Sequence, residues 1–275
     1  MSPVPNLDRD VRGSWSAFDG WIAPASKVSW TDAEYWEASF AQLRERSSLD
    51  LERHLAKWDK RLVALGGDPS RDDWSAFRPL RLSREEDWSD WLAHLLATSN
   101  GAFCRRLFTG IDGASGSRIR SIDREYSADS YRADLVIWFE DGGWLHLEVK
   151  VGDLSLEKTS KTGDALRAKC GGRCLGDMLL LPKRDRRHSE AIASSEAATP
   201  MKVRDWHDVA RSLRASIGEE PQESLSWRVW ARAYLGAVEQ LLLGLPVMRT
   251  GTSTRAAQRG IIERLEWMIE CETTR

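Results

Sequence analysis

The stretch from Ala133 to Val151 constrains the fold more than any other part of the chain. It reads ADLVIWF, then EDGG, then WLHLEVKV. The first run is apolar on both faces, bounded and short, which marks an interior strand. Glu140 to Gly143 supply turn chemistry, because glycine accepts the positive φ that a tight hairpin requires. In the second run every other residue changes character, so side chains alternate between two faces. Leu145, Leu147, Val149 and Val151 share one side; Trp144, His146, Glu148 and Lys150 share the other.

Around this hairpin the apolar spacing turns helical. One helix is expected from about Thr31 to Arg46 through Tyr35, Trp36, Phe40 and Leu43, and a second from Leu49 to Leu65 through Leu51, Leu55, Trp58 and Leu62. A third starts after Ser83, where Ser83 and Glu86 have capping-box spacing and Trp88, Trp91, Leu92, Leu95 and Leu96 form the buried stripe. Strands are predicted over 119–127, 132–140, 144–151 and 177–182, with a helix over 162–170. The C-terminal part reads as helices over 206–217, 226–243 and 254–270, the second with a stripe of Trp227, Trp230, Tyr234, Val238, Leu241 and Leu242. Three regions result: a helical region over 1–78, an α/β core over 79–200, and a helical region over 201–275 packed on it.

The polar side of the 144–151 strand carries the chemistry. Charged groups in a sheet are expensive to bury unless something compensates them. Asp134 opens the preceding strand, and the hairpin brings it beside Glu148. Two adjacent carboxylates repel unless a cation sits between them, and oxygen ligands of this kind suit Mg²⁺ or Mn²⁺. Lys150 would then stabilise charge developing during attack on a phosphate. The plain alternative is a cross-strand ion network on a solvated face.

Asp134-(x13)-Glu148-Val149-Lys150 resembles the bipartite motif of the PD-(D/E)xK nuclease superfamily, with Ala133 where the family name has proline. The resemblance spans roughly residues 83–182. It implies an α/β, restriction-endonuclease-like αβββαβ core with a central mixed sheet, flanked by N-terminal and C-terminal helices. It further implies metal-dependent hydrolysis of nucleic acid, best matched by a DNA endonuclease of bacterial restriction or antiviral defence. Catalysis would fall to Asp134, Glu148, Lys150 and Glu86, and Mg²⁺ or Mn²⁺ would be held by Asp134, Glu148 and the Val149 carbonyl. Glu85, Asp87 and Asp90 on the preceding helix, and Glu125 on the preceding strand, compete with Glu86 to complete the site. The alternative is a nuclease fold that binds nucleic acid or a partner without cleaving.

Substrate binding is expected from Lys158, Lys161, Arg167, Lys169, Arg173, Lys183, Arg184, Arg186 and Arg187, nine cations against three aspartates in that segment. Such a surface suits phosphates, with double-stranded DNA the expected partner and affinity that falls as salt rises. The formal net charge of -2 argues against a uniformly basic binder but allows a local stripe. A closed homodimer would fit cleavage of both strands, and a defence-system partner protein is the other partner expected. Four cysteines at 104, 170, 174 and 271 form no disulfide framework or zinc pattern. The N-terminus lacks the pattern of a signal peptide and Leu241–Val247 is too short to span a bilayer, so a cytoplasmic protein with no membrane contact is expected. No G-x-S-x-G, H-E-x-x-H or P-loop motif is present.

Overall fold

A computed structural model describes residues 33–74, 82–152, 157–182, 201–218, 223–248 and 255–273. Helices α1 (Ala33–Leu62), α2 (Glu85–Thr98) and α3 (Ala102–Leu107) precede three strands, β1 (Ile119–Ala128), β2 (Tyr131–Phe139) and β3 (Gly143–Val149). Then come α4 (Glu157–Lys169), β4 (Arg173–Leu181), β5 (Met201–Asp205), α5 (Trp206–Gly218), α6 (Leu225–Ala237) with a π-helical continuation over Val238–Leu242, and α7 (Arg255–Thr273). The chain forms two compact units, Met1–Leu49 and Asp50–Arg275.

The class is α/β, built on an open five-stranded sheet in the order β1-β2-β3-β4-β5. β1, β2 and β3 run antiparallel, whereas β4 is parallel to β3 and β5 parallel to β4. The EDGG hairpin forms as its residues require: Gly142 has φ 83° and closes the turn. A parallel partner for β3 needs a crossover, which α4 supplies.

Every residue of β3 is buried, so the polar side expected to face either solvent or a ligand lies under cover. Leu145, Leu147 and Val149 join the main core with the buried stripe of α2 and with Trp206, Leu213, Trp227 and Tyr234 of α5 and α6. On the opposite face Trp144, Val136 and Ala133 pack with Leu166 of α4.

Several elements depart from the sequence reading. α1 is continuous where two helices were expected, because Ser47 and Ser48 interrupt it with neither glycine nor proline. Its later positions Leu51, Leu55, Trp58 and Leu62 are buried as expected, whereas Phe40 and Leu43 are exposed. The cap of α2 shifts by one residue: Asp87, not Glu86, accepts from the backbone nitrogens of Ser83 and Arg84, at 2.9 Å each. β4 starts at Arg173, ahead of the expected 177. β5 was missed because MKVRD, with charges at alternate positions, reads as an edge strand only beside its partner. It places the sheet's edge beyond residue 200, inside the segment expected to be wholly helical. Of the apolar stripe on α6 and its continuation, Trp227, Tyr234 and Val238 are buried, but Trp230 and Leu241 are exposed. All four cysteines are free. No described helix is long and apolar enough to cross a membrane.

Candidate active site

The β2–β3 ladder pairs Leu135 with Leu147, and continuing that register by one residue sets Asp134 opposite Glu148. The β1–β2 register, Arg124 with Leu135 and Tyr126 with Ala133, aligns Glu125 with the same aspartate. Three acidic residues therefore line up across three neighbouring strands. Glu125 itself is left out of the ladder; it sits at φ 51°, in the left-handed region that a non-glycine residue rarely adopts, and its carboxylate pairs with Arg132 at 2.5 Å.

Where the ladder ends, the Asp134 side chain replaces a strand carbonyl: its Oδ2 accepts from the Val149 nitrogen at 2.7 Å. The backbone beyond is pinned in turn. Lys150 N donates to Leu180 O at 2.8 Å, Trp206 Nε1 donates to Lys150 O at 2.9 Å, and Val151 N donates to Glu85 Oε1 at 2.5 Å. Lys150 is thus held by its main chain, and its ammonium reaches back to Glu148 Oε1 at 3.1 Å.

Helix α2 contributes Glu85 rather than Glu86. Glu86 is exposed, and its carbonyl accepts from the Ser89 hydroxyl. Asp90 pairs with Arg124 at 2.6 Å, and Asp87 is used in the cap. Glu85 was among the alternatives; it lies three residues before the buried Trp88 and seven before the buried Leu92, on the helix face turned to the strand, where Val151 N reaches it.

The electrostatics follow from burial and crowding. Burial first, and then the charge of Glu148, raise Asp134 to about 7 from 3.8. Glu148 is depressed despite burial, because His146 and Lys150 both favour its charged form. Lys150 is raised although burial alone would lower it, since Glu148, Asp134 and Glu85 surround it. With burial and the charge of Glu148 outweighing Lys150, Asp134 is therefore partly protonated at neutral pH while Glu148 and Lys150 stay ionised.

The folded state holds the Asp134 proton more tightly than the unfolded chain, so this residue's contribution to stability falls as pH rises from about 4 to about 7. Asp134→Asn keeps an acceptor for Val149 N and removes the ionisation. In chelator, its stability relative to wild type should rise by about 1–3 kcal/mol between pH 5 and pH 8. Urea unfolding at the two pH values measures this, and a pH-independent difference would show that Asp134 ionises normally.

Two residues of the site were not singled out from sequence. His146, two before Glu148 on the same strand face, is fully buried and places Nδ1 3.0 Å from Asp177 Oδ1 and Nε2 3.5 Å from Glu148 Oε2. Burial would lower His146, but Asp177 and Glu148 outweigh it and carry it to about 9. The available signal was Asp177 itself, the one charge in an otherwise apolar DMLLL strand.

The basic residues expected to meet phosphate divide. Arg167 is turned inward onto Asp177 and Asp164. Lys169 donates to Ser127 O at 2.7 Å and Arg173 pairs with Asp141 at 2.9 Å. Lys161 is exposed. The side chain of Lys158, and Lys183, Arg184, Arg186 and Arg187, lie outside the described residues.

No protein-family model matches the sequence, and neither the curated proteins nor the solved structures contain a match. Among the described residues, no group of three or more histidine, cysteine, aspartate or glutamate side chains is arranged to hold a metal. The site offers two facing carboxylates, the third of the row being turned to Arg132.

Proposed function

We propose that this chain is a metal-dependent phosphodiesterase acting on nucleic acid, with Asp134, Glu148 and Lys150 as its catalytic centre and Glu85 as the helical acid that supports it. The observation that carries the reading is the register match of Asp134 with Glu148 beside a lysine whose backbone is pinned on both sides. The order of elements from α2 to β4 supports the restriction-endonuclease-like version of the α/β class: helices, three antiparallel strands, a helix and a parallel strand.

The donor set fits a hard divalent cation. Mg²⁺ is commonly held by only one or two carboxylates, with waters and substrate phosphate oxygens filling the other positions, so two facing carboxylates are enough. Asp134 and Glu148 would hold the ion, with the Val149 carbonyl oxygen as a further ligand. When bound, such an ion polarises the phosphate and lowers the pKa of a coordinated water.

The chain's own residues do the rest. Asp134, raised to about 7, gives up its proton readily once positive charge is nearby. Lys150 keeps its charge and presents it beside Glu148, where negative charge grows on the phosphate during attack. Glu85 fixes the backbone on the far side of Lys150 and adds a negative charge that keeps the ammonium protonated. DNA of bacterial restriction or antiviral defence is the substrate class that the motif suggests.

A second reading, a nuclease fold that binds without cutting, draws on one observation: Lys150 and His146 already neutralise Glu148. Incubating the purified chain with labelled plasmid, linear duplex, single-stranded DNA and RNA separates the two. Cleavage that needs Mg²⁺ or Mn²⁺ and stops in chelator is expected. Tight nucleic-acid binding without cleavage of any of these substrates would favour the second reading.

A further inference from the structure

We infer that His146 is a positioning residue for Glu148, anchored in turn by Asp177, Arg167 and the close approach of helix α4. The inference rests on the metal-site reading for its consequence, but its geometry is independent of that reading. His146 and Asp177 are a register pair across the parallel strands β3 and β4, and both are buried. Nδ1 of His146 lies 3.0 Å from Asp177 Oδ1, which leaves Nε2 directed at Glu148 Oε2. Neither Nε2 nor Oε2 has a hydrogen-bond partner among the described residues, and they face one another at 3.5 Å, a short adjustment from a good hydrogen bond.

Glu148 is thereby addressed on both oxygens, Oε1 by Lys150 and Oε2 by His146. A carboxylate has about four lone-pair sites, so each oxygen keeps a lone pair for a cation shared with Asp134. With Lys150 on Oε1 and His146 facing Oε2, the carboxylate plane is constrained before any ligand arrives. Buried inside the sheet, His146 has no surface from which to reach a substrate, and its action on the reaction must pass through Glu148.

Asp177 is itself held. Arg167 of α4 bonds it and is steadied by Asp164 at 2.6 Å. The helix can come this close because Gly163 faces the aspartate: a Cβ there would stand 2.7 Å from Asp177 Oδ1. An apolar pair at 146 and 177 would hold the sheet together at least as well as a buried ionic one. Orientation of Glu148 accounts for the ionic pair, for the arginine and for the glycine together.

The test combines crystal structures of wild type, His146→Leu and His146→Gln with calorimetric titration of Mn²⁺ into each. Leucine fills similar volume without a donor, whereas glutamine restores one. In His146→Leu the Glu148 carboxylate should leave its wild-type position or split between rotamers, and Mn²⁺ affinity should fall about 10–100-fold. His146→Gln should restore the position and most of the affinity. Glu148 unmoved in His146→Leu would overturn the inference, whatever the affinity. Glu148 displaced with Mn²⁺ affinity unchanged would uphold the positioning and remove Glu148 from the ligand set. If wild type bound no Mn²⁺, the metal reading would fail while the crystal structures still decided the role of His146. Should His146→Leu not fold, Gly163→Ala, whose added Cβ would meet the Asp177 carboxylate first, takes its place with the same expected displacement of Glu148.

Discussion

Lys150→Ala is expected to fold and to bind nucleic acid like wild type while cleaving it about 10²–10³-fold more slowly, the effect of removing one preorganised electrostatic group from a reacting centre. The expectation comes from where the ammonium sits. Its main chain is fixed by Leu180, Trp206 and, through Val151, Glu85, so truncating the side chain leaves the strand in place. Its charge lies beside Glu148, where in the proposed mechanism it would act on charge that develops during attack more than on bound ground-state phosphate. Anisotropy binding curves paired with single-turnover cleavage separate the two effects. Equal cleavage by Lys150→Ala and wild type would remove the lysine from the chemistry even with the fold intact.

The largest effect on stability is expected from Arg214→Ala, at about 3–5 kcal/mol, because it strips a partner from charges that cannot reach water. Arg214 on α5 is buried among Asp68, Glu239 and, beyond Glu239, Arg264. It contacts Asp68 at 2.8 Å and Glu239 at 2.5 Å, and its guanidinium lies over the Trp58 ring at 5.4 Å. Burial alone would raise Asp68, but the Arg214 charge, with hydrogen bonds from Arg214 and Ser70, brings it down to about 2. Its contribution is therefore present above about pH 4 and lost as pH falls toward 2. Removing Arg214 leaves Asp68 with the Ser70 nitrogen and Glu239 with Arg264 and the Trp267 indole. Urea unfolding at neutral pH reads the difference. A loss under about 1 kcal/mol would mean that water reaches the cluster.

The site was legible in sequence to the extent that it depends on local pattern. Alternation over 144–151 put Glu148 and Lys150 on one face, and the EDGG turn delivered Asp134 to Glu148 because a tight hairpin fixes its own register. The parts that depend on distant packing were harder to read. Which acid of α2 reaches the strand depends on the rotation of the whole helix, which turns Glu85 to Val151 N and leaves Glu86 exposed. His146 gains its buried partner only when β4 pairs in parallel and sets Asp177 beside it, a register that a crossover helix leaves open in the sequence. Arg167 looked like a phosphate ligand by composition, yet its fork fits the buried aspartate and the next acid along its own helix. β5 was invisible for a similar reason, since an edge strand with polar alternate residues declares itself only through its neighbour.

The most direct test of the account is calorimetric titration of Mn²⁺ into wild type and Asp134→Ala at pH 8, above the point where Asp134 releases its proton. Wild type should bind the ion, more weakly at pH 6 as protons compete for the same carboxylate, and Asp134→Ala should lose that binding while keeping its fold. Equal binding by the two proteins would contradict the site at its centre.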